Sequence, residues 1–196
     1  MANKHALAAA DILPAAEYAK GRTEFRRRIS AIKRNRRIEV GPYVTFYFES
    51  YDTMWLQVHE MLHIEKGGPE QLPDELAAYN PLIPNGAELT ATFMIEIDDP
   101  DRRQRILGTL GGIEETVFIR IGNETIRAAA ETDQDRTTAE GKASSVQFVH
   151  VPFTPAQIAA FRAPGAQVIL GFDHPNYGHM AVLPEAVRAE LAKDFD

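Results

Sequence analysis

The spacing of apolar positions predicts helices up to about residue 36 and strands with interspersed short helices after it. Pro14 followed by Glu17 predicts a first helical turn, since proline is tolerated where the amide has no intrahelical partner, and Gly21 is expected to break it. A second helix is predicted over about residues 22–36, with Phe25, Ile29 and Ile32 on one face at i, i+4, i+7 spacing. The period then changes. Ile38 to Phe48 is β-branched and aromatic and reads as one bent or bulged strand, interrupted mainly by Gly41-Pro42. Glu49-Ser50-Tyr51-Asp52 reads as a hairpin turn into a strand at about 53–58. That stretch carries two periods at once: Met54, Leu56 and Val58 alternate like a strand, while Trp55, Val58 and Leu62 recur like a helix. The compromise is a strand that gives way to a helix near Val58, ending at Gly67-Gly68.

Pro73 opens a short helix bearing Leu76 and Tyr79, and Asn80 to Gly86 is a turn-rich loop. Leu89 to Ile97 reads as a strand, Asp99-Pro100 caps a helix running to Leu110, and Gly111-Gly112 ends it. Val117–Ile121 and Thr125–Ala129 predict a hairpin around Gly122-Asn123. Glu131 to Ser144 has no large apolar residue and is expected to be a mobile surface loop, a candidate lid. Val146–Val151 and Val168–Phe172 read as strands. Thr154-Pro155 caps a helix bearing Ile158 and Phe161, and Pro184 starts a last helix with Val187 and Leu191 inward. Grouped strand pairs with irregularly placed helices predict an α+β fold with a mixed or mainly antiparallel sheet and several short helices. No repeat or linker divides residues 1–196, so one domain is expected, with a basic helical segment at about 14–37.

Composition narrows the classes of function. The chain has 196 residues and no cysteine, which excludes disulfides, thiol nucleophiles and cysteine-ligated clusters of its own and favours a cytoplasmic setting. The longest apolar run, Ala6 to Ala10, is far too short to span a bilayer or act as a secretory signal. The net charge of −7 is unevenly spread: residues 20–37 carry nine cations against Glu24 alone. Such a segment can serve as an interaction module, but no nucleic-acid fold motif accompanies it, so a solvated helix face paired with the acidic body is the expected role.

One motif carries a mechanism. His59-Glu60-Met61-Leu62-His63 places two imidazoles one helical turn apart, the spacing that holds one zinc, with Glu60 as general base towards a metal-bound water. The extended form of the pattern needs glycine at 66 and histidine at 69, where this chain has Lys66 and Pro69. Glu88 is the downstream carboxylate that would complete a different zinc-hydrolase pattern, without a local motif to support it. A second cluster, Asp173-His174-Pro175-Asn176-Tyr177-Gly178-His179, follows a strand. Asp173, His174 and His179 are candidate ligands there and Tyr177 a candidate contact, although the same residue types favour a plain turn. His150, between Val149 and Val151, is expected to be packed. Gly108-Thr109-Leu110-Gly111-Gly112 follows a helix instead of opening one and is rejected as a phosphate loop.

The chain also resembles a known family. Asp11-Ile12-Leu13 with Glu17-Tyr18, Phe25-Arg26, Val40-Gly41-Pro42, Glu60-Met61-Leu62, Ala78-Tyr79-Asn80-Pro81-Leu82-Ile83-Pro84, Gly112-Ile113-Glu114, Ser144-Ser145-Val146 with Phe148, and Asp173-His174-Pro175 are together similar to an uncharacterised bacterial family, domain of unknown function 3501, over nearly the whole length. The family pattern runs through Glu60-Met61-Leu62 without requiring His59 or His63, favours histidine where this chain has Gln147, and includes His174. Its members are often encoded beside rubrerythrin-like and iron–sulfur oxidoreductase proteins. The resemblance therefore implies a link to redox or peroxide chemistry, with those proteins as candidate partners. The resulting expectation is a non-hydrolytic accessory or binding protein of a redox or oxidative-stress system, with a divalent metal (zinc or iron) as candidate ligand at His174 and His179. The alternatives are a zinc hydrolase using His59, Glu60 and His63, and an interaction module using the basic helix.

Overall fold

The computed structural model describes residues 4–131, 136–139 and 141–196. Its elements in chain order are α1 (Ala15–Lys33), β1 (Arg37–Val40), β2 (Val44–Phe48), α2 (Tyr51–Glu65), α3 (Leu72–Tyr79), β3 (Glu88–Ile95), α4 (Pro100–Leu107), β4 (Val117–Ile121), β5 (Glu124–Arg127), β6 (Ala129–Ala130), β7 (Val146–Pro152), α5 (Pro155–Arg162), β8 (Val168–Phe172), β9 (Met180–Val182) and α6 (Glu185–Leu191). Every strand pairing is antiparallel. One sheet has the order β1-β2-β3-β7-β6 and the other β5-β4-β8-β9, so the α+β expectation holds.

The two sheets meet face to face over an aromatic centre. Phe46 of β2 and Phe93 of β3 each lie 5.3 Å, ring to ring, from Phe172 of β8. Alternation builds this interface: Leu89, Ala91, Phe93 and Ile95 on β3, and Val149 and Val151 on β7, all point into one core. The opposite face of the first sheet carries a second, smaller cluster. There Leu7, Met54, Val58, Leu82 and Ile83 pack with Trp55, Leu62, Leu72 and Phe148, so α1, α2 and α3 form an outer layer over that sheet.

Three expectations change in this layer and at its edges. Gly21 does not break the first helix; α1 runs through it for 19 residues. The missing side chain instead makes room for Phe25, because a Cβ on Gly21 would come within 2.6 Å of the Phe25 ring. Residues 38–48 form a tight hairpin, not one bent strand, with Val40 opposite Val44 and Gly41 at φ +71° in the turn. The strand expected at 53–58 is helical from Tyr51 onwards. Ser50 caps it: its hydroxyl accepts from the Thr53 amide at 3.3 Å, while Thr53 Oγ1 accepts from the Ser50 amide at 2.8 Å. Of the two competing periods, the helical one is chosen because it lays Met54 and Val58 into the second cluster. Strand β9 had no counterpart in the sequence reading.

Part of the expected loop lies at 132–135 and 140, outside the described residues, and so does that part of the lid expectation. Its described flanks are fixed to the body. Thr137 bridges Ala143, which is buried, and the Thr137 hydroxyl bonds Glu114 at 3.1 Å and accepts from the Gly112 amide at 3.0 Å. Among the described residues, no helix is long and apolar enough to cross a membrane.

Candidate functional site

Two polar residues of the His-Glu-x-x-His stretch, His59 and Glu60, tie α2 to the N-terminal segment and to α1. His59 is buried, with its ring 4.0 Å from that of Trp55 and 4.7 Å from that of Tyr18. Its Nδ1 meets the Trp55 carbonyl at 2.7 Å, and its Nε2 accepts from the Leu13 amide at 2.9 Å. These partners assign the neutral tautomer with the proton on Nδ1, and burial lowers the pKa from its ordinary value. Neither ring nitrogen is left for a metal in this arrangement.

Glu60 is equally engaged. Arg22 of α1 grips its carboxylate with two hydrogen bonds of 2.8 Å, and the Tyr18 hydroxyl donates to it at 2.5 Å. Chiefly through the Arg22 bonds, its pKa falls to about 2. A carboxylate so stabilised is a poor general base at neutral pH. The residues present therefore do not fit a hydrolytic zinc site. Among the described residues no group of three or more histidine, aspartate and glutamate side chains is arranged to hold a metal. Glu88 is far from the role weighed for it: it meets His150 Nδ1 at 3.3 Å, while Glu131 meets Nε2 at 2.9 Å. The carboxylate bonds, Glu88's first, raise the His150 pKa above its ordinary value.

The turn at 173–179 sends its side chains to three different neighbours. Asp173 pairs with Arg127 of β5 at 2.7 Å. His174 is buried, its Nδ1 accepting from the Asn176 amide at 3.2 Å and its Nε2 facing the Gly111 carbonyl at 3.3 Å. His179 lies over Gly41, whose missing Cβ would stand 2.6 Å from the ring. Tyr177 does the most structural work of the four. Its hydroxyl accepts from the Tyr43 and Val44 amides at 3.0 and 3.1 Å and donates to the Val40 carbonyl at 2.9 Å, closing the β1–β2 turn from the second sheet. Asp173, His174 and His179 are thus not brought onto one point.

What the sequence reading missed lies beside His59. An open cleft of about 670 Å³ is walled by the N-terminal segment and first turn of α1 (Ile12 to Ala16), by Leu62 and His63 of α2, and by Pro69 and Leu72 ahead of and within α3. Its lining is mainly apolar, and Tyr18, His59, Lys66 and Gly68 complete it. Three side chains hold the N-terminal wall in place. Asn80 pairs with Leu7 through both amide groups at 2.7 and 3.0 Å, Trp55 Nε1 donates to the Asp11 carbonyl at 2.9 Å, and His59 accepts from Leu13. The Tyr79-Asn80-Pro81 and Asp11-Ile12-Leu13 strings are the visible trace of this arrangement, but nothing in their spacing says that they meet. His63, half-buried, faces the cleft with its ring 6.0 Å from Tyr18.

The basic segment is partly absorbed by the fold. Arg22 holds Glu60, and Arg28 stands 3.7 Å from Asp52. Arg36 is buried, donating to the Phe48 and Glu49 carbonyls at 3.0 and 2.7 Å and pairing with Asp194. Lys20, Arg26, Lys33 and Arg34 stay exposed along α1.

The architecture is that of an α+β protein with two facing antiparallel sheets and a helical layer that encloses an apolar cleft. Comparison with known proteins places it more closely. A family model described as "Protein of unknown function (DUF3501)" matches residues 6–195, and the chain belongs to that family. A crystal structure of a protein of unknown function from Burkholderia pseudomallei is 36% identical, with a TM-score of 0.89 over 97% of this chain and 99% of that one. A search of curated proteins finds no match.

Proposed function

We propose that this protein is a non-hydrolytic binding protein whose ligand site is the cleft between the N-terminal segment, α1, α2 and α3. The observation that carries the reading is the pairing of a mainly apolar cavity of about 670 Å³ with a wall held by specific side-chain bonds. Cavities of this size and lining are the usual form of small-molecule sites. The wall is pre-formed, so little ordering opposes binding. The redox or oxidative-stress setting, with rubrerythrin-like or iron–sulfur partners, belongs to this reading as its cellular context and is supported by the family resemblance.

The test is to fill the cleft. Ala16 is exposed on the first turn of α1 and lines the cavity, so Ala16→Trp occupies the space without disturbing the core. Titrating small apolar molecules while following the Leu62 and Leu72 methyl resonances should give saturable shifts in the wild type. The same titration should give none in Ala16→Trp at unchanged thermal stability. If no class of apolar molecule shifts those methyls in the wild type, the reading is lost.

A further inference from the structure

The charge of the cleft narrows what it can hold. Among the described residues no carboxylate lines it, although the chain as a whole carries a net charge of −7. Glu60, on the same helix, lies outside the lining with its charge paired to Arg22. His59 is locked neutral by its two partners. The lining groups able to present positive charge or spare donors are His63 and Lys66, four and seven residues on from His59 at the C-terminal end of α2.

Lys66 stands out by its backbone. It adopts φ 56°, and among the described residues it is the one non-glycine residue in the left-handed region. Its amide closes α2 on the Leu62 carbonyl at 3.2 Å, the position where glycine is favoured because it carries no Cβ penalty. The next residue is Gly67, so the chain keeps a lysine in the strained place and the glycine beside it. Strain retained at the rim of a cavity points to a use for the side chain.

We infer that the cleft takes a small anionic amphiphile, an apolar body with a single carboxylate-type head, and that Lys66 and His63 receive the head while Leu13, Leu62 and Leu72 cover the body. The inference rests on the cleft being the ligand site. One ammonium and one imidazole suit a singly charged head, since among the described residues no arginine fork lines the cleft to grip a phosphate.

The test uses three probes of matched length on the full chain: octanoate, octanol and octylamine, each followed by the Leu62 and Leu72 methyl shifts. Octanoate should bind tightest and octylamine weakest. Lys66→Gly separates charge from fold, because glycine relieves the backbone strain. That variant should be as stable as the wild type or more so, yet bind octanoate about three- to tenfold more weakly with octanol unchanged. His63→Gln should weaken octanoate in the same selective way. Equal affinity for octanoate and octanol, or equal losses for both in Lys66→Gly, overturns the anion inference and leaves the cleft reading standing. Absence of binding by all three probes overturns the anion inference, and the cleft reading falls with it when no other class of apolar molecule shifts the same methyls.

Discussion

The histidine pair on α2 and the histidine turn at 173–179 look alike as sequence: two histidines, an acidic residue between or beside them, and aromatic neighbours. In the folded chain they are used differently. The turn is a closed seam between the two sheets, where Tyr177 satisfies three backbone groups of the β1–β2 turn and His174 bonds only main chain. The α2 pair divides. Both ring nitrogens of His59 are occupied, like those of His174, but His63 faces a cavity with no hydrogen-bond partner among the described residues. A histidine becomes available for chemistry through an open wall beside it, not through its spacing to another histidine.

The sharpest way to break this comparison is to truncate both members of the α2 pair. His59→Ala removes the acceptor for the Leu13 amide and leaves a void between Tyr18 and Trp55, and should cost about 3 kcal/mol in urea unfolding. A zinc site would instead make the two histidines equivalent: stoichiometric metal in untagged protein, lost alike in His59→Ala and His63→Ala, would refute the assignment of His59 to structure.

Tyr177→Phe comes next. It leaves the Tyr43 and Val44 amides without their acceptor and should cost about 2 kcal/mol, with exchange of those two amides accelerating first. A loss confined to ligand binding, at full stability, would instead make the turn a site.

The pH dependence has two sides of opposite sign. His59 has its pKa lowered below the ordinary 6.5, so it contributes stability above that value that is lost as pH falls through its folded pKa. Glu60, lowered from 4.5 to about 2, adds a loss further down, between those two values. His150 has its pKa raised by Glu88 and Glu131, so its contribution is full below 6.5 and is lost as pH rises through the folded value. Thermal melts should therefore show a decline setting in at pH 6.5 that is absent in His59→Gln, where the Glu60 loss below pH 4.5 remains, and a decline on the alkaline side that is absent in His150→Gln. A melt profile of His59→Gln that parallels the wild type would remove His59 from the acid side.

The smallest expected effect is the most telling. His63→Ala should change stability by less than about 0.5 kcal/mol, because its ring is half-buried at the cleft edge and makes no hydrogen bond among the described residues. A loss comparable with that of His59→Ala would mean that the two histidines share one structural role.

Much of the second half of the fold was legible. The Asp99 and Thr154 caps, the hairpin around Gly122-Asn123 and the alternating strands at 88–95 and 146–152 agree with the structure to within a few residues. Each depends on neighbours in sequence: a cap on the next three amides, a hairpin on its turn, an alternation on one sheet face. The first helix failed at Gly21 because the reason for that glycine is the Phe25 ring laid against it. Residues 53–58 failed because both periods were present and only packing against Leu82, Ile83 and Phe148 separates them. Around the site, His59, Glu60 and His63 stood in the sequence as an alternative zinc set, and the fold gives each a different surrounding. Asn80, Trp55 and Leu13 were in view without a sign that they meet.

By itself, then, the sequence determined the class of fold, the local starts and stops of most elements, the absence of thiol chemistry and the presence of a histidine-bearing helix. These follow from periodicity, composition and short-range hydrogen bonding, which act within a few residues. The tertiary structure alone decided that His59 and Glu60 bind the N-terminal segment and α1, that the 173–179 turn closes a seam, and that His63 and Lys66 border a cavity. Those outcomes depend on contacts between residues 38 to 137 positions apart, where a hydrogen-bond partner is chosen by packing and carries no mark in the local pattern.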